Sequence, residues 1–174
     1  MRPLLAAILA LPLLACEDRG INWQFDVAPS GARVAWPDVQ PPPEVMAEWP
    51  NVEDRAVAHL TKYQGVTEER VRYWINAVRN YIHPERWQMK PSGPYYSGAA
   101  WPQSLAVEAA WMLPTNPIKA AAFGHEIGHI LYWYDVSPEA GTKFEHGWKP
   151  PLVSGAALSE VGEDWSAVCA GCRI

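Results

Sequence analysis

The sequence predicts an α+β domain, mainly helical with a small sheet. Two observations lead there. Residues 51–63, 67–82 and 117–134 read as helices from their capping signals or apolar spacing, and a last helix is expected from about Ser154 to Ala170. Short runs, "INWQFDV" and "ARVAW", fit brief strands between proline- and glycine-bearing loops, and residues 104–113, "SLAVEAAWML", fit either a strand leading into the next helix or a short helix, with the strand preferred.

Each element has its own signal. Asn51 is the expected cap of the first helix, with Glu53 and Asp54 in its first turn and Gly65 beyond Tyr63. The second starts after Thr67. Val71, Trp74, Ile75, Val78 and Ile82 give it one apolar face, and His83-Pro84 ends it. Residues 85–103 combine proline, glycine and aromatics without a period and read as loop. Asn116 as cap and Pro117 at the first helical position start the third helix, which should reach about Tyr134. The segment "DVSPEAGTKFEHGWKPPL" reads as loop. Most of the ten tryptophans are expected in packing, because a domain this small builds its core from few large side chains.

The N-terminus, "MRPLLAAILALPLLAC", is expected to lie outside the folded domain. Arg2 precedes an apolar run, Leu4 to Leu14, too short to span a bilayer as a helix, which marks a secretory signal over residues 1–15. Its end, Leu13-Leu14-Ala15-Cys16, resembles the lipobox of bacterial lipoproteins. That resemblance implies cleavage before Cys16, a lipid on its thiol, and localisation in the cell envelope, tethered to a membrane on its periplasmic or outer side. Residues 16–50, proline-rich through "PDVQPPPEVMAEWP", read as a lipidated tether or arm, and residues 51–174 as the domain.

Charge narrows the partners. Without residues 1–15 the 14 Lys+Arg become 13 against 19 Asp+Glu, so the formal charge moves from −5 to −6. A mildly acidic surface with no basic block argues against nucleic acid. Cys169 and Cys172, in "CAGC", read as a short-loop disulfide in an oxidising compartment.

The chemistry lies in "AAAFGHEIGHIL", residues 120–131. On a helix, His125 and His129 project from one face one turn apart, so two imidazole nitrogens can meet one metal ion. Zinc suits imidazole plus carboxylate with one position left for water. Glu126 stands where its carboxylate reaches that water as general base. Gly124 and Gly128 each cost about 1 kcal/mol in a helix interior. That cost is expected to be offset by close approach of another helix, the last one being the natural candidate.

That last helix, "LSEVGEDWSAVCAG", carries Glu160 and Asp164 at a spacing of four. Here the chain resembles the gluzincin metallopeptidases, over about residues 117–167. The resemblance implies a zincin-like domain in which two metal-bearing helices pack together. Glu160 would be the third zinc ligand and Asp164 the hydrogen-bond partner of His125. Glu163 competes with Glu160 as ligand. Asp135, in a rarer zincin-like spacing, and His146 are weaker candidates. Tyr95, Tyr96, Tyr132, Tyr134 and His146 are candidates to stabilise the oxyanion, and by family analogy residues 104–113 would serve as the substrate-binding edge strand. The implied function is a zinc-dependent metalloendopeptidase acting on protein or peptide. The alternatives are a non-catalytic, metal-stabilised envelope lipoprotein and a zinc amidase acting on peptidoglycan.

Overall fold

The computed structural model describes residues 20–88, 92–111 and 117–145. In chain order these form β1 (Trp23–Val27), β2 (Arg33–Pro37), α1 (Pro43–Leu60), α2 (Glu68–Ala77), β3 (Arg79–His83), β4 (Trp87–Gln88), β5 (Tyr95–Tyr96), β6 (Gly98–Trp101), β7 (Ala106–Ala110), α3 (Pro117–Asp135) and α4 (Pro138–Lys143). The class is α+β, as expected. The sheet is larger than expected: five strands in the order β1-β2-β3-β7-β6, beside a separate two-stranded β4-β5 hairpin. Strands β2, β3 and β7 run parallel, whereas β1 and β6 run antiparallel to their neighbours and form the two edges.

Several boundaries differ from the sequence expectation. Residues 23–37, assigned to the tether or arm, supply β1 and β2, so the sheet reaches well upstream of residue 51. Helix α1 starts at Pro43 rather than Asn51 and carries Pro50 in its interior. Its buried residues Val45, Trp49, Val52, Ala56 and Leu60 keep three- and four-residue spacing straight through the proline. Burying that continuous stripe outweighs the roughly 3 kcal/mol that an interior proline costs.

Helix α2 is capped by the Thr67 side chain, which accepts from the Arg70 N–H at 3.2 Å, and it ends at Ala77 instead of Ile82. Residues 79–83 are a strand. A side-chain period of two fits them as well as a helical one, with Ile82 facing the helices and Tyr81 facing away. Asn80 secures the change of direction, since its buried Nδ2 donates to Ile75 O and to Arg33 O, both at 3.1 Å. The segment read as loop after residue 85 contains β4, β5 and β6, and α4 lies in the segment read as loop after Asp135.

The core sits on one side of the sheet. There α1, α2 and α3 bury Trp49, Leu60, Ile75, Ile127, Ile130 and Leu131 against Val34, Ile82 and Val107. Trp49, Trp74 and Trp87 are buried, in keeping with tryptophan as packing.

Candidate metal centre

Helix α3 runs through the core from Ala122 to Tyr132, so the polar residues of that stretch are buried along with its apolar ones. His125, Glu126 and His129 are each 2 % exposed or less, and one ligand atom from each lies within 4.8 Å of the others. The expected pairing of the two histidines on one helix face is therefore present.

The outer nitrogens of both rings are fixed. Nδ1 of His129 lies 2.6 Å from the carbonyl oxygen of Gly141, which only accepts, so this nitrogen carries the proton. Nδ1 of His125 lies 2.6 Å from Glu145 Oε2. Burial raises the affinity of Glu145 for a proton. Hydrogen bonds from His125 and His59 outweigh it and hold the carboxyl below the usual carboxylate range. Glu145 is thus an acceptor and His125 Nδ1 a donor. In the neutral rings both Nε2 atoms then present lone pairs, and they face each other at 2.9 Å.

Two acceptors at that distance are stabilised by a cation between them. Tetrahedral zinc with bonds of about 2.0–2.1 Å places two nitrogens roughly 3.3 Å apart, close to the spacing present here. Glu126 adds a second sign of fit. Its Oε1 is buried without a hydrogen-bond partner, and burial, then the charges of Glu145 and Glu108, raises its pKa well above the ordinary range. A pair of buried, preoriented imidazoles suits zinc, and the Glu126 carboxylate stands beside them without a hydrogen-bond partner at Oε1.

Small residues make room for this group. Gly98 opens β6, and a Cβ there would come within 2.8 Å of Glu126 Cγ. The Gly124 and Gly128 positions are close approaches, as expected, but with different partners. A Cβ on Gly124 would lie 3.2 Å from Cα of Ala56 in α1, and one on Gly128 would lie 2.5 Å from Phe144 Cζ. Among the described residues it is α1 and Phe144 that approach α3 here.

Glu145, His59 and Tyr63 were not legible as site residues. Glu145 joins three segments: its carboxylate binds His125, accepts from the Tyr63 hydroxyl and pairs with His59 Nε2 at 3.1 Å. Its backbone is left-handed, with φ 58°, which is uncommon for a residue with a side chain. The bond to His125 Nδ1 that the resemblance gives to Asp164 is made here by Glu145. Asp164 itself, with Glu160, Glu163, His146, Cys16, Cys169 and Cys172, lies outside the described residues.

Two candidates are corrected. Asp135 does not face the histidines. It is held by Arg70, through Nε at 2.6 Å, and by Trp74 Nε1 at 3.2 Å, on the α2 side. Residues 106–110 form an interior strand, not the edge, and the edge strand beside α3 is β6. Of the tyrosines, Tyr134 donates to Pro102 O at 2.8 Å and Tyr95 is exposed on the hairpin. Tyr132, two positions nearer His129 than Tyr134, is buried with an unpartnered hydroxyl.

No known protein family, curated protein or solved structure matches the chain.

Proposed function

We propose that the chain is a zinc-dependent metallopeptidase of gluzincin type, lipid-anchored through Cys16 in the cell envelope. The observation that supports it most is the pair of facing Nε2 atoms on His125 and His129, fixed from behind by Glu145 and Gly141, with the unpartnered Glu126 carboxylate beside them. The last ligand of the set is Glu160 in this reading, with Glu163 as its competitor.

Zinc, when bound, supplies an acidified water and polarises the scissile carbonyl. The chain's own residues do the remainder. His125 and His129 hold the ion with rings that cannot rotate, because both Nδ1 atoms are engaged. Glu126 takes the proton of the attacking water at a carboxylate oxygen and returns it to the leaving amine. Its environment suits that cycle, since burial and two nearby carboxylates favour the protonated form that the step produces. Gly98 leaves the carboxylate free of a neighbouring side chain.

The test is zinc content and peptide hydrolysis in the parent and in Glu126→Gln. Near-stoichiometric zinc in both, with turnover lost only in the variant, supports the proposal. Bound zinc without cleavage of protein, peptide or cell wall in the parent favours a structural metal instead. Cleavage of cell-wall stem peptides alone favours the amidase reading.

A further inference from the structure

The sheet has a second face, opposite the metal centre, and its composition is unlike that of the chain as a whole. Alternation along the strands sends Val34, Ile82 and Val107 toward the helices and Trp23, Phe25, Tyr81 and Trp101 the other way. Among the described residues no helix packs on this second face; the β4–β5 hairpin covers its end at His83, Ala99 and Ala110, with Trp87 stacked on His83 at 4.0 Å, and the rest carries the strand cluster of Ala35, Tyr81 and Ala106. Trp23, Phe25 and Trp101 are half-buried and Val27 is 61 % exposed.

The exposed charge that the described strands place on it is positive. Arg33 is exposed with its guanidinium 5.0 Å above the Phe25 ring, and Arg79 lies 5.8 Å above Tyr81. The carboxylate that the described strands place on this face, Glu108, is fully buried and bound by His83 Nε2 and Trp101 Nε1, both at 2.8 Å. A protein of formal charge −5 thus turns one aromatic face with exposed guanidinium outward.

The position of this face in the chain says what meets it. Six residues separate Cys16 from Trp23, the first residue of β1, a span of roughly 24 Å at full extension. We infer that the helix-free face of the sheet rests on an anionic bilayer surface, which turns the His125–His129 site away from the membrane. Half-exposed Trp and Phe suit the headgroup region, and Arg is drawn to anionic lipid. The remaining surface, net acidic, is repelled by the same lipid. The inference rests on the reading of Cys16 as the lipid site.

The experiment uses the chain from residue 16 onward with Cys16→Ser, so that no lipid contributes. Co-sedimentation with vesicles of phosphatidylglycerol and phosphatidylethanolamine should exceed that with phosphatidylcholine alone and fall with salt. Arg33→Glu should weaken binding about 25-fold, two charges at about 5-fold each. Lys62→Glu, the same charge change outside this face, should leave binding within about twofold. Absence of sedimentation with anionic vesicles overturns the inference, as does an equal loss in the two variants. So does a stable dimer that Arg33→Glu dissolves, which would show that a second copy covers the face. Labelling of Cys16 by fatty acid and zinc content are measured separately. Vesicle binding by the unlipidated chain supports the inference even where either of those fails.

Discussion

His125 and His129 present their Nε2 atoms to each other at 2.9 Å, with both rings locked from behind. An isolated pair of neutral imidazoles would relieve that contact by rotating, but Glu145 and Gly141 prevent it. The geometry is that of a site which is stable when a cation stands between the nitrogens. Zinc is therefore expected to raise the melting temperature. Binding at a thousandfold above Kd contributes about 4 kcal/mol, or on the order of 10 °C for a domain of this size. Calorimetry before and after chelation measures it, and coincident melting curves would exclude a site of useful affinity.

Glu145 is expected to matter more than its distance from the reacting atoms suggests. Glu145→Gln keeps an acceptor for His125 but removes the charge, and should weaken zinc binding about 10–100-fold. Glu145→Ala also strips the Tyr63 hydroxyl and His59 of their buried partner. Breaking such a pair costs about 3–5 kcal/mol of stability. Competition with a chromogenic chelator reads the first effect and urea unfolding the second. Equal zinc affinity in the parent and Glu145→Gln would assign Glu145 a packing role only.

How far the sequence could carry this argument differs by element. The His125–Glu126–His129 group was legible because its residues lie within five positions of one another, and helix geometry alone brings them together. Glu145 was not, for its partners His59 and Tyr63 lie more than 80 positions upstream in the chain. Nothing local in "FEHGW" marks Glu145 over His146 beside it. Strand β3 was misread because Val78 and Ile82 mimic a helical step, and β6 because Gly98-Ala99-Ala100 has no strand propensity of its own. The identity of β6 is set by what it lies against: small residues are needed where a strand meets the Glu126 carboxylate.

Gly98→Ala tests that contact. The added methyl would occupy space now filled by the Glu126 side chain, so the carboxylate must shift. Displacement of a general base by about 1 Å costs on the order of 100-fold in rate. The prediction is a kcat lowered by that order with zinc still bound, because the atoms nearest the new methyl all belong to Glu126. Assays against a casein-like protein beside metal analysis provide both numbers. Undiminished turnover in a variant whose Glu126 carboxylate is shown by its structure to be displaced would remove Glu126 from the proposed role.

The pH dependence of the metal-free protein follows from two carboxyls shifted in opposite directions. Glu126 is raised by burial and by the charges of Glu145 and Glu108, so the folded state holds its proton more tightly than the unfolded state does. Its contribution to stability is complete below the ordinary glutamate pKa of about 4.3 and is lost as pH rises toward the folded value. Glu145 is lowered by its histidine partners, so its contribution is present above that ordinary pKa and is lost as pH falls through the folded value. The apo-protein should consequently be most stable in mildly acid solution and weaken toward neutrality. Glu126→Gln removes the alkaline loss without altering shape, and in chelator it should melt above the parent at pH 7, with the difference closing near pH 4.5. Thermal melts of both proteins across that range decide it, and a variant that melts below the parent at pH 7 would show that the Glu126 carboxylate is stabilised by partners other than a metal.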